Sequence, residues 1–400
     1  MSEKLSFPLW VIALATGSAV MGITIITPAL PLIGDDLGAS ADAVQLLLTF
    51  YLLMLAFGQL VIGPLSDAIG RRPFFTAGAV LTALSGLSGL FVSDITLLTA
   101  IRIIQGLGAA ACMSMGRAMI NDFFPKKDAQ KAMASVQTIQ AIVPMLALSI
   151  GGLIVASFGW KGVMGIILLA GIMLVFGALF LLPETHLSPT RSIKIQAVMA
   201  SYKAVLTNPT YVAFMSLCAL QTGAFFALNS FIAYWYQMIG IGSLQFGFYF
   251  AMTPLGYFCG NLFNRAYMVK RGIEKAAFIG CLLSLSSMVI LAMTQLMGIT
   301  SPLGLALPCM LFGFSNGLTV ANSAIGGISA AGKYAGTGSG VIGAATMALG
   351  GITGTIFVSL GADSSVIIGI IGLFVMVMAA LLNAGFLYRQ TILHPASADM

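Results

Sequence analysis

The chain has 400 residues, of which 59% are hydrophobic and 8% charged, with a mean hydropathy of +1.02 and a formal net charge of +6. A soluble globular domain carries about 25% charged residues, so this composition excludes one and places the chain in lipid. The basic residues stand singly or in short pairs between apolar runs, so the positive charge is a topology signal and not a nucleic-acid-binding surface.

A bilayer core about 30 Å thick takes roughly 20 apolar residues per spanning helix. Apolar runs of that length are read at 7–33, 42–64, 73–93, 95–120, 130–156, 160–182, 210–236, 244–268, 275–297, 301–325, 334–359 and 363–388. The first run follows Lys4 and contains Ala13 and Ala15, as a signal peptide would, but it continues to Ile33 and is too long for an excised segment. The longest polar interruption, 183–209, divides the chain into an N-terminal six-helix bundle at 1–182 and a C-terminal one at 210–400. All of the 18 Lys and Arg except Lys161 and Arg102 fall on one side of the membrane in this scheme. The positive-inside rule then puts both termini and the 183–209 linker in the cytoplasm.

Between the second and third spans lies Gly63 to Pro73, GPLSDAIGRRP, a short charged turn between long apolar runs. Gly63 and Gly70 are expected to let backbones approach closely, and Pro64 to sit near a helix end where a missing amide matters less. Asp67, Arg71, Arg72 and the distant Asp122 place opposite charges at one level. A weaker basic turn recurs after the eighth span, GNLFNRAYMVKRG from Gly260 to Gly272, which suggests a duplicated six-helix unit.

GQLVIGPLSDAIGRRP (Gly58 to Pro73), IRIIQGLGAA (Ile101 to Ala110), GRAMINDFF (Gly116 to Phe124) and TPALPLI (Thr27 to Ile33) carry a family resemblance. The chain resembles the major facilitator superfamily, and within it the twelve-span drug/proton antiporters of the bicyclomycin/chloramphenicol resistance type. The resemblance implies an all-α membrane protein with twelve transmembrane helices in two pseudo-symmetric six-helix bundles. It also implies a bacterial inner-membrane exporter of a small amphipathic compound, working by proton-linked alternating access. It assigns Asp67, Arg71 and Asp122 to a charge network that latches the two halves shut on the cytoplasmic side, in a cytoplasmic gate that also takes in Gly63 and Arg72. Arg102 lies in mid-span, where a charge costs about 2.5–3.5 kcal/mol, so it is expected to face the bundle interior or an aqueous cavity. The family links this arginine to coupling and substrate handling; a structural arginine satisfied by carbonyls and glutamines is the alternative.

Two departures bear on the proton. None of the 12 acids lies mid-span, and alignment on Pro28 and Pro31 puts Thr24 where the family carries an acid. A half-buried carboxylate is the usual proton carrier, and threonine does not titrate. In VPMLALSIGG the fifth span keeps Pro144, Gly151 and Gly152 of the antiporter pattern but has Leu148 in place of its second proline. Proton linkage therefore rests on resemblance, and uptake or proton-independent exchange of a neutral or anionic solute is the alternative. With no acid to neutralise it, Arg102 is expected to leave the cavity electropositive and to favour neutral, zwitterionic or anionic substrates.

Cavity lining is expected from Thr24, Arg102, Gln105, Gln137, Gln140, Phe225, Asn229, Tyr257, Asn316 and Asn322, polar or aromatic residues in six spans. The sequence offers no metal-ligand cluster, nucleotide loop or nucleophile with a base, so an enzyme and an ATP-driven pump are not expected. The expected partners are a small-molecule substrate, the lipid bilayer and protons; nucleic acid and a cofactor are not expected, and the protein is taken as a monomer.

Overall fold

The computed structural model describes the backbone of residues 7–185, 195–268 and 271–393. Lys4, Arg191, Lys194 and Lys270, which contribute to the charge bias, lie outside these residues. The side chains of Asp67, Lys126, Lys127, Lys131, Gln137 and Lys333 are also outside the described set.

Among the described residues every regular element is helical. The first span is broken: α1 (Leu9–Thr24), a single 3-10 turn (Thr27–Ala29) and α2 (Leu30–Leu37). Pro28 and Pro31 lack the amides that would continue α1, so its last carbonyls are freed. The helices α3 (Ala41–Ile69), α4 (Arg71–Phe91) and α5 (Ile95–Phe123) follow. The Ser40 hydroxyl caps α3 by accepting from Ala43 N at 3.3 Å, and the Asp94 carboxylate caps α5 by accepting from Leu97 N at 2.8 Å.

Spans five and six form one element, α6 (Lys126–Phe176), reversed at Gly159, whose φ of 65° favours glycine. A π turn (Gly177–Leu181) ends it. Then come α7 (Ile195–Leu206), α8 (Pro209–Met238), α9 (Ser243–Phe250), α10 (Met252–Phe263), α11 (Ile273–Leu296), α12 (Pro302–Ala330), α13 (Ala335–Ser359) and α14 (Val366–Leu393). Among the described residues, ten helices are long and apolar enough to cross a membrane. That number takes Ile142–Leu181 as one although Gly159 reverses it, and omits α9 and α10, which the Pro254 region divides. Dividing the former at Gly159 and taking α9 with α10 as one further crossing gives twelve spans.

The expected polar linker contains a helix. On α7, Val205 is buried, Tyr202 Oη donates to Leu60 O of α3 at 2.9 Å, and Ser201 Oγ accepts from Thr337 Oγ1 of α13 at 3.2 Å. The helix is therefore a strap in contact with both bundles, at the end that carries Gly63 to Pro73, here termed the motif end.

Glycines set the closest crossings. A Cβ built on Gly256 or Gly260 of α10 meets the carbonyl of Met310 or Phe314 of α12, and one on Gly313 meets that of Thr253. One on Gly317 comes within 2.6 Å of Asn261 N. These two facing pairs, each spaced by four, bring backbone onto backbone. Gly313→Leu is expected to lower stability by at least about 2 kcal/mol through overpacking, read as an earlier thermal transition of the detergent-solubilised protein. Gly336→Leu, at a position with open space around its Cβ, is the control expected to leave the transition in place.

Candidate functional site: charge cluster, arginine knot and central cavity

At the motif end, Arg71 Nε lies 3.0 Å from Asp122 Oδ2, and a guanidinium nitrogen of Arg71 also contacts Ser66 Oγ. Arg72 donates through Nε to Ala178 O at 3.0 Å and through a terminal nitrogen to Leu179 O at 2.6 Å. The π turn at the end of span six presents those two carbonyls. Glu184, to which the sequence reading gave no role, completes the cluster. Its two carboxylate oxygens accept the backbone amides of Arg71 and Arg72, each at 3.0 Å, as an anion does at a helix N-terminus. An acid placed just past a span on the basic side was the available signal. Gly70, with φ 119°, makes the turn, and a Cβ there would stand 2.7 Å from Glu184 Oε2.

One expectation changes here: nothing lies within 4 Å of a Cβ built on Gly63, so no close approach depends on that glycine. The Arg71–Asp122 pair joins α4 to α5, both within the first bundle, and braces that bundle; the expected latch also includes Asp67, whose side chain lies outside the described residues. Among the described residues, contacts that cross between bundles at this end include those of the α7 strap and of Gln59, whose Oε1 lies 2.6 Å from a Cβ built on Gly343.

Arg102 is fully buried between α1, α3 and α5. Its guanidinium donates to Leu47 O at 3.2 Å, to Gly22 O at 2.8 Å and to Gln105 Oε1, and lies 4.2 Å from the centroid of the Tyr51 ring. Tyr51 Oη in turn donates to Ala19 O at 2.7 Å. Gly22 falls in the last turn of α1, where carbonyls lack intrahelical partners, so the cation caps the break in the first span. Neither Arg102 nor Gln105 lines the central cavity. The expected electropositive cavity is accordingly not formed by this side chain. Thr24 is also buried away from it, its hydroxyl donating back to Val20 O at 3.3 Å.

The central cavity, about 160 Å³, lies between the bundles at mid-depth. Val20, Gln140 and Pro144 contribute from the first bundle, and Thr222, Phe225, Tyr257 and Asn316 are among the residues of the second. Asn316 Oδ1 is buried without a hydrogen-bond partner. An orphaned polar atom in an apolar surround costs about 1–3 kcal/mol, which an incoming donor recovers. The described lining residues carry no charge. Asn229 and Asn322 point elsewhere: Asn229 donates to Phe225 O at 2.8 Å, and Asn322 donates to Asn264 Oδ1 at 2.9 Å inside the second bundle.

The fifth span connects cavity and closure. Pro144 lines the cavity, and one turn on, Leu148 O stands 2.5 Å from a Cβ built on Gly247 of α9. Gly152 Cα lies 3.3 Å from that same point, and Gly151 packs against Ile25 O. Leu148, where the antiporter pattern has proline, thus sits on a tight inter-bundle crossing. Away from the motif end, Thr49 Oγ1 of α3 meets Thr355 Oγ1 of α13 at 2.6 Å and donates to Gly351 O at 3.2 Å. The bundles are therefore in close contact at the opposite end.

Twelve spans in two bundles, a broken first helix and a largely apolar pocket with a few polar groups at their interface define a secondary transporter of the alternating-access type. The chain belongs to the Major Facilitator Superfamily, which it matches over residues 12–355. It is 27% identical to a bicyclomycin resistance protein homolog of Haemophilus influenzae, over 86% of this chain and 87% of that one. It is 26% identical to a chloramphenicol resistance protein of Pseudomonas aeruginosa, over 86% and 81%. Among solved structures, the xylose transporter XylE of E. coli, in a partially occluded inward-open form, superposes with a TM-score of 0.72 at 14% identity, covering 96% of this chain and 98% of that one. The protein is a transporter and not an enzyme.

Proposed function

We propose that the protein exports uncharged, drug-like amphipathic compounds through the cavity between its bundles. The carrying observation is the lining itself: aromatic and aliphatic walls, the orphaned Asn316 Oδ1, and no charged group among the described lining residues. A cation bound there would lack a counter-charge, and so would an anion. The names of the relatives, bicyclomycin and chloramphenicol resistance proteins, support a drug-like cargo. At about 160 Å³ the cavity is smaller than the roughly 300–1,000 Å³ of ligand pockets, so loading requires the bundles to part.

The same reading takes 1–182 and 210–400 as the moving bundles and 183–209 as their cytoplasmic connection. It places both termini in the cytoplasm of a bacterium, with the protein a monomer in the inner membrane; charge bias supports that orientation. Proton linkage belongs to it as well. Proton-independent exchange is the second reading, favoured by Thr24 standing where the family has an acid.

Proteoliposomes with an imposed pH gradient test both. A panel of uncharged amphipaths including chloramphenicol is expected to be moved, and ethidium, a permanent cation, is not. Asn316→Leu is expected to lower the rate about tenfold, the equivalent of one lost hydrogen bond of about 1.4 kcal/mol. Equal transport of ethidium would refute the uncharged-cargo reading. Transport indifferent to the gradient would select the second reading over proton linkage.

A further inference from the structure

A groove of about 850 Å³ lies away from the central cavity. One wall is α3 from Leu53 to Leu65, another is α13 from Val341 to Ala348, and α7 closes the motif end with Val198, Met199, Tyr202 and Leu206. The α3 wall rises about 18 Å at 1.5 Å per residue, close to the about 15 Å of one leaflet's share of the hydrocarbon core. All lining side chains are apolar except Tyr202, whose hydroxyl is already given to Leu60 O. Phe57 and Met199 are 53% and 60% exposed. Left empty, these walls would forfeit their dispersion contacts, and they offer water no hydrogen bond.

The motif end of the groove adds charge. Lys203 follows Met199 by one helical turn and precedes Leu206 by three residues, so it flanks the groove beside these two lining residues. It is exposed, and among the described residues it forms no ion pair. The groove therefore runs the depth of one leaflet and ends at a free cation at headgroup level.

We propose that this groove binds an anionic phospholipid of the motif-side leaflet, with its acyl chains along α3 and α13 and its phosphate at Lys203. Lipid tails gain nothing hydrophobic by leaving the bilayer for an equally apolar groove, so selectivity comes from the headgroup and from fit. The groove walls come from both bundles and from the strap that touches each. A lipid held there favours the arrangement in which α3 and α13 keep their present spacing, and parting them at the motif end dismantles the site. Occupancy thus biases the alternating-access equilibrium.

The full chain, reconstituted in nanodiscs of phosphatidylcholine and phosphatidylglycerol and released into detergent for native mass spectrometry, tests this. The parent is expected to retain one phosphatidylglycerol in about fivefold preference over phosphatidylcholine, from a single lysine near the surface. Lys203→Glu, at an exposed position, is expected to abolish that preference with lipid still retained. Ala345→Trp, which fills the groove, is expected to lose the retained lipid of either kind. Equal retention of the two lipids by the parent, an unchanged preference in Lys203→Glu, or displacement of the lipid by added chloramphenicol would each overturn the proposal.

Discussion

Arg102→Ala is expected to lower the stability of the folded transporter by about 3 kcal/mol or more and to reduce its yield in the membrane. The guanidinium serves Leu47 O, Gly22 O and Gln105 Oε1 at once, beneath the Tyr51 ring. Each acceptor stranded in a buried site costs about 1–3 kcal/mol, and a desolvated cation–π contact adds about 2 kcal/mol. Removing the arginine also relieves its own burial, which is why the expected loss is below the full sum. Arg102→Lys is expected to behave much like alanine. A single ammonium keeps the charge but cannot present a planar fork to carbonyls from two different helices and to the glutamine together. The measurement is thermal unfolding of purified parent and variants in one detergent, read alongside substrate binding by whatever protein stays folded. Folded Arg102→Lys with parental stability would show that charge alone suffices, and the knot would then not be what holds the broken first span.

How far these features could be read in the sequence depended on what each one requires. Span number and the two-bundle division follow from apolar run length, because lipid leaves the backbone few options other than helix. The Gly63 to Pro73 turn was legible because its arginines and glycine are unusual between two apolar runs. Glu184 was not, since its partners are backbone amides more than a hundred residues away. The α7 strap was hidden because its polar flanks read as loop, although Val198, Tyr202, Val205 and Leu206 mark an apolar face.

The cavity shows the sharper limit. Polar residues inside spans were all candidates, yet Gln140 and Asn316 line the space between the bundles, while Asn322 and Gln105 are consumed inside one bundle. In a membrane every helix face is apolar, so polarity marks a helix contact as readily as a ligand group. Only the packing separates them. Arg102 illustrates the same point: composition put it in the interior, and only geometry put it at the end of α1 and outside the lining of the central cavity.

The alternating-access account predicts that holding the bundles together at the end opposite Gly63 to Pro73 stops transport. Thr49 and Thr355 meet there hydroxyl to hydroxyl at 2.6 Å, which makes the two positions the pair at which to introduce a cysteine cross-link. The direct test replaces both by cysteine in a background lacking the five native cysteines and follows chloramphenicol movement in proteoliposomes, oxidised and then reduced. The predicted result is transport at the level of empty vesicles when oxidised and recovery on addition of dithiothreitol. Undiminished transport by the fully cross-linked protein would contradict the account.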